Sequence, residues 1–272
     1  MRPVGVQSDR WDVNLARARS DSARIRPMSF SVYSNSRVPF DVLHEDAALL
    51  VVYKPAGIVT QPGKGHERDS LLNGLFARYG NALQNLGEDR GWGLLHRLDR
   101  ETSGLVLVAL RTRAYENLLD QFKRRAVKKT YYAIVAGVPR TRQGVIQLPI
   151  AEVVGTRKRA VARRDGKQAI TAYRVLDSQP QASLIEAMPK TGRLHQIRLH
   201  LAELGHPVLG DEMYGASRGK GAASPPPVRL CLHAAALSFI HPEDGRRMNV
   251  SCAVPADFLA QCKRLGLRFP PS

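Results

Sequence analysis

The sequence predicts an α+β fold, a single domain built on a mixed, mainly antiparallel sheet with flanking helices and a central cleft. Three observations lead there. Short runs with strand composition recur along the chain from Leu49 to Met188. They are joined by turn signals and not by regular helical crossovers, which favours antiparallel pairing over a doubly wound sheet. Only a few segments carry helical spacing, and 272 residues suffice for one large domain with an ample core.

The elements follow in order. Residues 1–37 mix Arg, Ser and Asp without a clear apolar period, and read as a basic tail that is disordered or loosely attached. One folded domain is expected to span 38–272. Leu49–Tyr53 reads as a strand. Ser70 can cap a helix whose apolar face is Leu71, Leu72, Leu75, Phe76 and Tyr79, with Gly80 as its stop. Leu105–Leu110 is a continuous apolar run with the composition of a strand buried on both faces. Ala114–Arg124 reads as a helix with Leu118, Leu119 and Phe122 inward. Tyr131–Val135, Val145–Leu148, Ala169–Val175 and Leu184–Met188 read as strands, and Asp165-Gly166 as a hairpin turn. Leu194, Ile197, Leu201 and Leu204 form a helical stripe stopped by Gly205. Residues 215–227, rich in Gly, Ser and Pro, read as a mobile loop.

Forty-one Lys and Arg against 24 Asp and Glu give a formal charge of +17. Such a balance points to a polyanionic partner, though charge alone serves RNA, DNA and an acidic membrane equally. The three cysteines include no Cys-x-x-Cys, so a reducing cytoplasm is the expected compartment. No apolar run reaches membrane-spanning length, and Asp9, Asp12 and Asp21 argue against an organellar leader.

The chemistry concentrates in His96-Arg97-Leu98-Asp99-Arg100-Glu101-Thr102-Ser103-Gly104, a polar turn running straight into the Leu105–Leu110 strand. Asp is common in turns for its own sake. Between Arg97 and Arg100, however, a carboxylate is favoured in its charged form, which suits a nucleophile or base better than a proton donor. Two basic runs stand out, Lys123, Arg124, Arg125, Lys128 and Lys129, and Arg157, Lys158, Arg159, Arg163, Arg164 and Lys167. A single run is usually a solvated face, but two in so basic a chain favour a nucleic-acid footprint. Gly57–Gly65 lacks the spacing of a phosphate-binding loop, and no His-Glu-x-x-His or Gly-x-Ser-x-Gly occurs. No metal and no cofactor are expected.

The His96–Gly104 block resembles the catalytic motif of the RluA-type pseudouridine synthases. Further blocks match in order. These are Val51-Val52-Tyr53-Lys54-Pro55-Ala56-Gly57 (with Tyr53 where Asn is usual), Lys129-Thr130-Tyr131-Tyr132-Ala133 and Gly192-Arg193-Leu194-His195-Gln196-Ile197-Arg198-Leu199-His200. Gly205-His206-Pro207 with Gly210-Asp211, and Leu232-His233-Ala234, complete the set. The resemblance covers about residues 40–258. It implies the pseudouridine synthase fold and isomerisation of specific uridines in structured RNA, rRNA or tRNA or both, by a chain expected to be a monomer. It places the catalytic carboxylate at Asp99, an Arg193 partner in bidentate contact with Asp99, and Tyr131 as the aromatic platform of the uracil pocket. Tyr132 then faces the other side of its strand. Arg97 is positioned to fill the place of a flipped base, and Arg97, Arg100, Lys128, Lys129, Arg157, Lys158, Arg159, Arg163 and Arg164 are the candidate RNA contacts. Asp99 can act as nucleophile on carbon 1′ or as the base that removes the carbon 2′ proton. A glycoside hydrolase using Asp99 and a second carboxylate, and a catalytically silent RNA-binding module, are the competing readings.

Overall fold

A computed structural model describes residues 31–155, 158–215 and 229–270. Residues 1–30 of the expected tail, Arg157 and most of the expected loop at 215–227 lie outside them. Eleven strands and four helices are found among the described residues. Eight strands follow the order β1-β2-β3-β10-β4-β9-β8-β5 in one sheet. Here β1 is Asp41–Glu45, β2 Leu49–Lys54, β3 Ser103–Ala109, β4 Lys128–Ala136, β5 Gln143–Ile146, β8 Thr171–Gln179, β9 Ala182–Pro189 and β10 Leu232–Ile240. β11 (Arg247–Ser251) also pairs with β10, and β6 (Ile150–Val154) pairs with β7 (Lys158–Ala162) as a separate hairpin. The β3–β10 pair is parallel and the others antiparallel, so the sheet is mixed and mainly antiparallel, as expected.

The β2–β3 pair explains its own composition. Leu50, Val52, Val106 and Val108 face one core with Leu71, Leu72, Leu75 and Phe76 of helix α1 (Leu71–Leu86). Leu49, Val51, Leu105 and Leu107 face a second core with Ala114 and Leu118 of helix α2 (Thr112–Lys123). All residues of β3 are buried, because both faces are covered.

Ser70 caps α1, accepting from the Asn73 amide while Asn73 Oδ1 accepts from the Ser70 amide at 2.9 Å. The helix does not stop at Gly80. Its dihedrals break at Tyr79, yet Leu83 and Leu86 continue the buried stripe, and the end comes at Gly87, whose φ is +73°. The packed body also starts earlier than the sequence suggests. Within 31–37, Val32 is buried against the α1 core, and the Asn35 amide donates to Asn73 O at 2.9 Å. The Asp165-Gly166 turn follows β7, with Gly166 N donating to Arg163 O, and returns the chain so that Lys167 pairs with Ile150.

Candidate active site

The turn at 96–102 is held from several directions before β3 begins. Thr60 Oγ1 donates to Leu98 O at 2.8 Å and accepts from Leu98 N at 3.0 Å. His96 Nε2 accepts from Leu107 N at 3.0 Å, and burial pushes that imidazole down to about 3, so it stays neutral. Lys54 has no exposed surface and donates to Pro55 O, Ile58 O and Arg100 O at 2.8, 2.6 and 3.2 Å. Burial lowers its ammonium to about 7, with the Asp99 and Glu101 charges opposing that fall. Gly104 has φ +124°, and a Cβ there would lie 2.2 Å from Ala234 O, so only glycine permits the close β3–β10 approach below the turn.

The turn opens on a cavity of about 620 Å³ lined by Arg97, Asp99, Lys129, Tyr131, His195 and Arg198 among others. Asp99 Oδ2 accepts from Arg198 Nη1 at 3.0 Å. Arg198 projects from helix α3 (Gln196–Glu203) and also forks onto Asp211, Nε to Oδ2 at 2.7 Å and Nη2 to Oδ1 at 2.9 Å. The Asp211 side chain is fully buried. Burial alone would raise its carboxyl. The Arg198 bonds and charge, with the Met213 and Tyr214 amides, more than offset that and leave it below the ordinary value. Asp211 therefore has no proton to give a leaving group. Glu101 turns outward to Arg100 at 3.4 Å, so the carboxylate pair that a glycosidase needs is not assembled from it.

The expected Arg193–Asp99 pair is not formed. Arg193 is exposed, and its Nε donates to Gln168 O at 3.2 Å. Helix α3 starts after it, at Gln196, whose side chain accepts the Arg193 amide at 3.0 Å. Leu194 consequently lies outside the helix, and Leu204 is partly exposed. Arg198, two residues into the helix and flanked by buried Ile197 and Leu199, is the arginine that reaches inward. An arginine enclosed by apolar neighbours in the sequence is a usable signal, because such a charge needs a carboxylate partner.

Tyr131 is 9% exposed and lines the cavity. Burial, then the Asp99 charge, pushes its phenol well above the ordinary value, so it stays neutral. Tyr132 faces the other side and packs edge-on to Phe269 at 4.8 Å. Of the candidate RNA contacts, Arg97, Lys129 and Lys158 line the cavity. Lys129 Nζ donates to Thr191 O at 3.1 Å, and burial lowers it to about 8. Lys158 pairs with Glu152 on β6. Arg159 and Arg164 are exposed on the hairpin and its following turn, and Arg163 Nε binds Asp165 Oδ1 at 2.9 Å. Arg100 and Lys128 are exposed and outside the cavity lining, and Arg125 and Lys123 join it. Sequence reading quoted Lys54, His96, Arg198 and Asp211 within the matching blocks but gave them no role in the site, and it missed Thr60 and Tyr214.

A family model described as RNA pseudouridylate synthase matches residues 48–203, which include the Asp99 turn, Tyr131 and Arg198. The chain belongs to this family. An uncharacterized RNA pseudouridine synthase of Chloroflexus aurantiacus is 41% identical over 212 residues, 78% of this chain and 65% of that protein. The ribosomal large subunit pseudouridine synthase D of Zymomonas mobilis is 37% identical over 233 residues, 84% of this chain and 73% of that protein. The chain thus spans about two thirds of the length of these curated relatives. The solved structure of human RNA pseudouridylate synthase domain containing 4 superposes with a TM-score of 0.66 at 28% identity. That match covers 85% of this chain and 95% of that one. The fold expected for the family is therefore the fold found. Among the described residues no helix is long and apolar enough to cross a membrane, and no group of three or more His, Cys, Asp or Glu residues could hold a metal ion.

Proposed function

We propose that this family member isomerises specific uridines in structured RNA to pseudouridine, with Asp99 as the catalytic carboxylate, acting as a cytoplasmic monomer. The observation that carries the assignment is the carboxylate of Asp99, 19% exposed at the cavity and oriented by Arg198, with the buried Tyr131 ring in the same cavity wall; Glu152, the other carboxylate of the lining, is paired with Lys158. The ribosomal names of several relatives favour rRNA as substrate, with tRNA the other candidate.

The residues fit the steps. A uridine inside a stem or tight loop must leave the stack, at a cost of a few kcal/mol. Arg97, exposed at the cavity rim, is placed to occupy the vacated position, and Tyr131 supplies a face for the extruded uracil. Asp99 then acts at the sugar, as nucleophile on carbon 1′ or as base at carbon 2′. Uracil is released at nitrogen 1, turns, and bonds to carbon 1′ through carbon 5 as the Asp99 ester breaks or the carbon 2′ proton returns; nitrogen 1 takes up a proton and carbon 5 loses its own to solvent. The exposed cations of the β6–β7 hairpin hold the phosphate backbone.

The test is tritium release from RNA carrying carbon-5-tritiated uridine, which a synthase frees and a glycoside hydrolase or a silent RNA-binding module does not. Wild-type chain should release the label and Asp99→Asn should not. The variant should stay folded, because Arg198 keeps both hydrogen bonds to Asp211. Release by Asp99→Asn above a few per cent of wild type would refute the role of Asp99. No release by wild type from rRNA or tRNA would refute the function.

A further inference from the structure

We infer that His195 is a further site residue, whose Nε2 accepts a hydrogen bond from the ribose 2′-hydroxyl of the flipped uridine and so selects RNA over DNA. The inference rests on the proposed synthase activity. It starts from hydrogen-bond accounting around Tyr214. The Tyr214 hydroxyl accepts from Ala160 N at 2.9 Å, donates to Ala160 O at 3.1 Å, and lies 2.9 Å from His195 Nδ1. One hydroxyl has one proton to give. With that proton on Ala160 O, the remaining bond is donated by His195, which puts the imidazole proton on Nδ1 and leaves a lone pair on Nε2.

That lone pair lies beside the candidate catalytic carboxylate. Nε2 lies 3.9 Å from Asp99 Oδ2, and the ring lines the same cavity. Asp99 Oδ2 has its donor in Arg198 Nη1, whereas Nε2 has no hydrogen-bond donor among the described residues. The imidazole does not relieve this by protonating, since burial lowers its proton affinity more than the Asp99 charge raises it. Whichever way Asp99 attacks, carbon 1′ or the carbon 2′ proton, the hydroxyl on carbon 2′ lies next to the atom it reaches. It is the donor that Nε2 lacks among the described residues, since Arg198 Nη1 already serves Asp99 Oδ2 at 3.0 Å, and deoxyribose does not carry it. The backbone supports the placement. His195 is one of three non-glycine residues with positive φ among the described residues, at +50°, just ahead of α3, and its side chain is 12% exposed.

The test compares two substrates. One is a transcript from which wild-type chain releases tritium. The other is identical except for 2′-deoxyuridine at the modified position. His195→Asn tolerates positive φ and keeps an amide where Nδ1 meets Tyr214, but removes Nε2. It should lower kcat/KM on the ribose substrate about tenfold, the size of one buried hydrogen bond left unpaired. On the deoxy substrate it should cost less than about twofold beyond the wild-type loss. His195→Gln, which returns an acceptor near the Nε2 position, should recover part of the ribose preference. Equal losses by His195→Asn on both substrates would overturn the inference, because a merely structural role lowers both alike. If wild-type chain releases no tritium at all, the synthase reading falls and this inference with it. Activity in wild type without the substrate-dependent loss removes only the inference.

Discussion

Replacing Arg198 by Met should do two separable kinds of damage, and each follows from a different carboxylate. Arg198 is 11% exposed and makes three charge-assisted hydrogen bonds, one to Asp99 and two to the fully buried Asp211. Removing one member of a buried ion pair strands the other, at about 3–5 kcal/mol. For a domain of this size 1 kcal/mol moves Tm by about 2–4 °C, so the loss should be roughly 6–20 °C. Turnover should fall as well, because Asp99 loses its orienting partner. The double variant Arg198→Met with Asp211→Asn removes the stranded charge. It should recover much of the stability and none of the activity. Arg193→Ala, by contrast, removes an exposed side chain with one bond to a backbone carbonyl. It should cost within about 0.5 kcal/mol of stability and leave turnover within a few-fold of wild type. Thermal unfolding and single-turnover tritium release at saturating RNA measure both. Arg193→Ala matching Arg198→Met in lost turnover would refute the reasoning, as would an Arg198→Met variant with unchanged Tm.

Neutralising Arg157, Lys158 and Arg159 should weaken binding across many RNA sequences, with the slope of log K against log salt reduced by roughly 0.7–0.9 for each phosphate no longer neutralised; an unchanged slope in filter binding would show a solvated face only. Lys54 titrates at about 7 in the fold against an ordinary 10.5. Between those values the unfolded chain binds the extra proton, so this group makes stability rise with pH there, and below pH ~7 its contribution is flat at its least favourable. Urea midpoints of Lys54→Met across pH 7–10 should lack that rise, and a pH profile parallel to wild type would contradict the assignment. Gly104→Ala should lose about 3 kcal/mol or more by forcing β3 from β10, because its methyl would meet Ala234 O at 2.2 Å. A urea midpoint within error of wild type would show that the sheet can give.

Much of the fold was legible because its signals are local. The apolar run at Leu105–Leu110 needs two covered faces, and it has them. Ser70 reads as a cap three residues before Asn73, and it is one. Alternation placed Tyr131 and Tyr132 on opposite faces, where they lie. The Asp99 turn was visible as a cluster of ionisable groups set against a buried strand.

What the sequence could not decide is which distant groups meet at Asp99. The stretch from Gly192 to His200 carries two arginines, and its hydrophobic stripe admits a helix starting at either end. Arg198 becomes the partner because Gln196 caps the turn ahead of α3, so the helix begins beyond Arg193, and because Asp211 arrives from a separate loop to hold the second side of the guanidinium. The insertion of β10 between β3, to which it is parallel, and β4 was equally hidden, since it joins residues 99 or more positions apart. Spacing along a chain fixes which residues share one face of one element. The register between elements is set by packing and by burial of opposite charges, and only the folded chain expresses it.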